Sequence, residues 1–280
     1  MKRTLLPAIA AFLCMFSCTP EQNPLPSRSL VVEAWIESGE APVVMVTYSA
    51  VPGDGKILFS DLAEYVEKWA KVTLDDGEKR VVLTGMPSKD YLTRYVYTTG
   101  RMFGEAGKTY TLTVEAGERS CSATATVPRP AELDSLEPVP YGSEPGAWIL
   151  NARFHDDPDE ENCYVFFSRI EGVDSLYVSN FANILDDSTF TGTEVELPIT
   201  QGSNIQRTGV HKWFSSGETV HIKFCTTDAM GASILKRMNS TQAIAEFPLL
   251  VSNTNLDGNV DGALGYFIGY GRNDYKVTLP

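Results

Sequence analysis

The chain is short of positive charge and of histidine, and it has no long apolar run. Its 280 residues carry 23 Lys and Arg against 36 Asp and Glu, a formal net charge of −13. So acidic a balance excludes nucleic acid as a partner, because phosphate contacts need clustered Lys and Arg. The absence of any run of 18 apolar residues excludes a polytopic helical membrane protein. Signatures of nucleotide binding and hydrolysis are missing: there is no Gly-x-x-x-x-Gly-Lys-Ser/Thr, no Gly-x-Ser-x-Gly and no His-Glu-x-x-His. The three histidines are His155, His211 and His221, and pairing His221 with Cys225 gives too few ligands for zinc. We therefore expect no enzyme. What is present, 43% hydrophobic and 21% charged residues, is the composition of a folded protein with room for two cores.

The first residues read as an export signal. Lys2 and Arg3 precede an apolar stretch from Leu5 to Phe16, which is too short to span a bilayer but suits a signal peptide. It ends in Met15-Phe16-Ser17-Cys18, which resembles the cleavage box of bacterial lipoproteins, with Ser17 preceding an acylated Cys18. Cys14 suits that role less well because Leu13 precedes it. On this reading residues 1–17 are removed and residues 18–28, with three prolines, form an extended tether. The mature chain then carries a net charge of −15, so acyl chains rather than the protein surface would hold it at the membrane. Three further cysteines follow: Cys121, Cys163 and Cys225. Cys163 and Cys225 could pair, or all three could stay free as small buried hydrophobes.

Residues 29–128 predict short strands between turns. Leu30 to Ile36, Pro42 to Tyr48, Tyr91 to Thr98, Lys108 to Val114 and Ser120 to Val127 alternate or are rich in β-branched residues. Lys71 to Leu74 and Arg80 to Leu83 flank Asp75-Asp76-Gly77, a hairpin signal. Asp61 to Trp69 breaks the rhythm, as a helical turn or a loop across the sheet. About seven strands at this spacing predict an immunoglobulin-like sandwich. Four prolines between Pro128 and Pro140 mark 129–140 as a linker. Residues 141–280 predict a second β-rich domain, sandwich or barrel, with one helix from Asp228 to Met238 capped by Asp228 and ended by Asn239. A glycine-rich run from Gly262 to Gly271 leads to a last strand at Tyr275 to Leu279. The fold class expected is therefore mainly β.

Three features could bind something. Asp257-Gly258-Asn259-Val260-Asp261-Gly262 matches the front of an EF-hand loop, making Asp257, Asn259 and Asp261 candidate Ca²⁺ ligands. The twelfth position is Ile268 rather than a carboxylate, so a polar turn is the plainer reading. Asp156-Asp157-Pro158-Asp159-Glu160-Glu161 places five carboxylates in six residues, which reads as a solvated loop, a calcium site or a contact for a basic partner. Trp148 and the segment His211-Lys212-Trp213-Phe214 are the aromatics least explained by strand alternation.

Taken in order, several segments resemble a known family. They are Cys18 with its Pro-rich tether, Leu30 to Ile36, Gly107 to Leu112, Thr126-Val127-Pro128, Leu133-Asp134-Ser135-Leu136, Phe154 to Pro158 before Asn162-Cys163-Tyr164, Ser252-Asn253, and Gly262 to Phe267. Together they are similar to a family of Bacteroidota envelope lipoproteins that is a domain of unknown function. Its members are commonly encoded beside TonB-dependent outer-membrane receptors. Cys163 departs from the aromatic expected at its place. The resemblance implies a lipid-anchored outer-membrane protein that serves as a non-enzymatic accessory of a TonB-dependent receptor, in nutrient uptake or binding. It carries over no catalytic residue. The alternative is a free-standing surface ligand-binding or adhesin-like protein, stabilised by calcium. Thr19 to Asn23 holds one acidic residue and does not decide between the periplasmic and cell-surface faces.

Overall fold

A computed structural model describes residues 28–49, 63–91, 93–157, 162–179, 184–186, 193–202, 212–242 and 258–280. Cys18, most of the tether, His211, Asp257 and the end of the acidic run (Asp159, Glu160 and Glu161) lie outside the described residues. The fold is mainly β and sandwich-like, with one helix among the described residues.

Its first strand, β1 (Leu30–Glu37), is buried along almost its whole length. A strand buried on both faces belongs in the middle of a sheet, and β1 sits there. It pairs antiparallel with β2 (Val43–Tyr48) and parallel with β17 (Leu264–Thr278), near the chain's other end. Strand β17 has 15 residues because it serves two partners in turn. Leu264 to Tyr270 lie along β1, and Gly271 to Thr278 lie antiparallel to β16 (Thr219–Thr227). The expected glycine-rich run and last strand are thus one continuous strand. Close approach explains the glycines. A Cβ on Gly265, whose φ is +112°, would lie 1.9 Å from the Val32 carbonyl oxygen, and one on Gly269 would lie 2.0 Å from that of Thr126.

The result is one nine-stranded sheet running β12–β11–β16–β17–β1–β2–β6–β5, with β13 also paired to β11. The flanking strands are β5 (Thr84–Pro87), β6 (Tyr95–Thr98), β11 (Cys163–Ile170), β12 (Val178–Ser179) and β13 (Leu185–Asp186). Two smaller sheets pack on one of its faces. The first is β4–β3–β7–β8, built from β3 (Lys71–Asp75), β4 (Arg80–Val82), β7 (Thr109–Ala116) and β8 (Arg119–Thr126). Val32, Ala34 and Ile36 of β1 and Phe267 of β17 share a core with Leu74, Tyr110, Leu112 and Val114 of that sheet. The β3–β4 hairpin forms as expected, with Gly77 at φ +86° and Asp75 accepting the Gly77 N–H at 2.8 Å.

The second small sheet holds β9 (Leu133–Pro140), β10 (Ala147–His155), β14 (Glu194–Ile199) and β15 (Phe214–Ser215). The stretch 129–140, expected as a linker, therefore contains a strand. Pro138 and Pro140 are tolerated because β9 lies at the border of its sheet, paired among the described strands with β10 alone. Phe154, Phe166 and Phe224 stack in the core between this sheet and the large one, with ring centres 4.6–6.4 Å apart. The second half is thus a sandwich rather than a barrel. Residues 63–69, at the break in the strand rhythm, make a short 3₁₀ turn and then bridge Val66 to Thr47 of β2.

The large sheet's other face carries α1 (Ala229–Gln242). Asp228 caps it by accepting the Gly231 N–H at 2.7 Å, as expected, but the helix runs past Asn239. Ile234 and Leu235 pack with Val165, Cys225, Ile268 and Tyr270. Alternation along the central strands sends odd-numbered side chains of β1, β11 and β16 and even-numbered ones of β17 to this face. Cys121, Cys163 and Cys225 are buried thiols outside any disulfide, so the pairing of Cys163 with Cys225 does not occur.

Candidate functional site

That second face hollows into a cleft of about 430 Å³, within the range of small-molecule sites. Trp35 and Glu37 of β1 lie at its floor with Phe167, Lys223, Tyr270 and Arg272, and Tyr91, Leu176 and Tyr177 add walls from loops. Residues from both ends of the chain meet there because β1 and β17 are neighbours.

A buried ion network holds the floor. Glu37 is 5% exposed and Lys223 8%. The Glu37 carboxylate accepts hydrogen bonds from Lys223 Nζ through Oε1 and from Arg272 Nη1, at 2.9 Å, through Oε2. Arg272 also reaches Glu40 at 3.0 Å and Asp274 at 2.8 Å. Burial works against the Arg272 charge. The hydrogen bond to Asp274 and the fields of Glu37, Asp274 and Glu40 outweigh it, and its pKa rises above the usual arginine value. Aromatic rings pack against the cations. Lys223 Nζ lies 4.8 Å from the Phe167 ring centre and 5.0 Å from that of Tyr177, and Arg169 lies 5.3 Å over Tyr177. Trp35 and Tyr91 form a second aromatic corner, with centres 5.8 Å apart. Burial, with the charges of Glu37 and Asp90 adding to it, lifts the Tyr91 pKa to about 12, so this hydroxyl stays neutral.

Two polar atoms at or below the cleft have no partner among the described residues. Ser179 Oγ, in the wall, is buried without a hydrogen bond, and so is Glu33 Oε2. Glu33 is the cross-strand neighbour of Met45 and Tyr266, which both line the cleft. Its other oxygen accepts only a long bond, 3.5 Å, from the Tyr266 hydroxyl. Burial raises the Glu33 pKa from 4.5 to about 7, against the weak lowering by Tyr266.

The side chains singled out from the sequence lie elsewhere. Of the expected calcium loop, Asn259 donates Nδ2 to the carbonyls of Thr124, at 3.0 Å, and Phe267, at 2.7 Å, while Oδ1 accepts the Phe267 N–H at 2.8 Å. It works as a clasp between β8 and β17. Asp261 is exposed, and its backbone bridges Ser122. Among the described residues, no group of three or more His, Cys, Asp and Glu side chains gathers as a metal site. In the acidic run, Asp156 accepts the Tyr164 hydroxyl at 2.6 Å. His155 pairs with Asp134 at 2.7 Å on the surface, and His221 with Glu171 at 2.8 Å. Trp213 stacks on Tyr141 at 5.4 Å, and the Trp148 indole N–H donates to Ser216 at 2.9 Å. None of these side chains lines the cleft.

Sequence reasoning passed over Glu33, Glu37, Lys223 and Arg272. A signal was there: two carboxylates, at i and i+4, in a strand otherwise apolar enough to be buried on both faces. Buried charges need partners, so such a strand marks a polar site.

The chain belongs to the family described as domain of unknown function DUF4249, which matches residues 16–276. No curated protein matches it. Among the described residues no helix is long and apolar enough to cross a membrane.

Proposed function

We propose that the protein is a non-enzymatic binding component of the cell envelope, anchored to the outer membrane through Cys18 and working beside a TonB-dependent receptor. The observation that carries the binding role is the cleft on the large sheet. Its walls are aromatic, its floor charges are paired with one another, and the Ser179 hydroxyl in its wall waits without a partner among the described residues. Paired charges of this kind fix the shape of a site, and nothing about them calls for turnover. The anchor rests on Ser17-Cys18 after a short apolar stretch, and the receptor partnership on the family resemblance.

The test is capture from the native membrane. After crosslinking and mild solubilisation, a tag placed after Pro280 should bring down a β-barrel receptor in a near-equal amount, and the captured lipoprotein should carry acyl chains on Cys18. Recovery of the lipoprotein alone would overturn the receptor partnership. It would favour the free-standing ligand-binding protein, for which the same cleft is the evidence.

A further inference from the structure

We propose that the cleft takes an uncharged sugar, its C–H face laid on the aromatic walls and its hydroxyls on Ser179 and the rim. This deepens the binding role above and rests on it.

Charge is the first argument. Lys223 and Arg272 are the cations of the floor, and each already touches carboxylates: Lys223 touches Glu37, and Arg272 touches Glu37, Glu40 and Asp274. An anionic ligand would have to displace carboxylates held in place by the fold. A cationic ligand would approach two cations, buried Lys223 and partly buried Arg272, that already face the rings of Phe167 and Tyr177. Both charged classes are disfavoured, and a neutral ligand meets neither obstacle.

Shape and hydrogen bonding narrow the class further. Among the described residues the Trp35–Tyr91 corner carries no cation–π contact, which leaves ring surface for an apolar partner. A purely apolar ligand, however, would leave Ser179 Oγ buried and without a hydrogen bond, an unfavourable state for a hydroxyl. Ser179 is the direct cross-strand neighbour of Phe167, so its side chain lies on the same face of the sheet as the Phe167 ring. The Glu40 side chain is half exposed and touches Arg272 through Oε1, so its other oxygen can accept a hydroxyl. A ring with one apolar face and a girdle of hydroxyls that both donate and accept meets all three demands, and a pyranose is such a ring.

Saturation-transfer NMR on the full-length chain, held in a detergent without a sugar headgroup, tests this. The probes are methyl glucoside, methyl galactoside, methyl mannoside, N-acetylglucosamine and cellobiose, with choline and benzoate as charged controls. At least one sugar should receive saturation, concentrated on the ring protons of one face. S179A should weaken that sugar roughly five- to tenfold without changing the melting temperature. W35A should abolish the transfer, with circular dichroism showing that its sheet persists. Silence from every sugar, transfer to a charged control alone, or undiminished binding by S179A would each overturn the proposal. A receptor captured by a chain that binds no sugar would leave the partnership standing and the ligand class wrong. Sugar binding without receptor would do the reverse.

Discussion

Removing the Glu37 carboxylate probes how the cleft floor is held, and its cost can be worked from the contacts. The carboxylate is 7% exposed and takes two cations, Lys223 through one oxygen and Arg272 through the other. In E37L, Arg272 keeps Asp274 at 2.8 Å and Glu40 at 3.0 Å, so its charge stays compensated. Lys223 is in a different position. Its side chain is 10% exposed, Glu37 is its one carboxylate partner among the described residues, and only the faces of Phe167 and Tyr177 remain. Such faces contribute about 0.5–2 kcal/mol, well short of what a buried ammonium requires. Breaking a buried pair from one side costs about 3–5 kcal/mol, a large share of a typical stability of about 5–15 kcal/mol. Replacing both partners differs in kind, because E37L/K223M leaves no orphan charge and fills similar volume. Urea unfolding at pH 7, followed by tryptophan fluorescence, should show E37L with a midpoint lower by about 1–2 M and the double variant recovering most of that loss. A loss below about 1 kcal/mol in E37L, or a double variant no better than the single, would refute this account of the floor.

Three further outcomes follow from individual groups. The folded state keeps a proton on Glu33 between pH 4.5 and about 7 that the unfolded chain has released, so this group makes stability fall as pH rises through that window. E33Q should remove that dependence and gain up to about 3 kcal/mol over the parent at pH 8 and little at pH 4, and parallel pH profiles for the two proteins would refute it. Cys121, its pKa raised to about 11 by burial, and Cys163 and Cys225, also buried, should resist a thiol reagent in the native protein and react on unfolding. Mass spectrometry of the labelled chain checks this, and native labelling at any of the three would count against their burial. N259A removes three hydrogen bonds joining β8 to β17 and leaves backbone groups without partners, so it should cost about 1–3 kcal/mol in thermal or urea unfolding.

Features set by near neighbours in the chain were legible in the sequence. The Asp228 cap, the turn at Gly77 and the alternation that buries Tyr110, Leu112 and Val114 each depend on residues a few positions apart. Pairing between distant strands was not legible, because alternation tells which face a residue takes and says nothing of which strand lies beside it. Val31 sits against Leu264, across nearly the whole chain. The prolines of 129–140 misled for a related reason: proline forbids a central strand, but only the finished sheet shows that β9 lies at a border. The cleft combines both difficulties. Glu37 comes from β1, Lys223 from β16 and Arg272 from β17, so no window of sequence contains the site. The parallel pairing of β1 with β17 creates it; the glycine at 265 lets β17 come close enough to β1 to pair, and the glycine at 269 makes room for the Thr126 backbone. A motif search reads spacing along the chain, whereas here the chemistry is spaced across strands, about 5 Å apart in the sheet and 186 to 235 residues apart in sequence. What the sequence could offer was the anomaly at one end of that arrangement: Glu33 and Glu37 in a strand whose burial demands that any charge be answered from elsewhere in the fold.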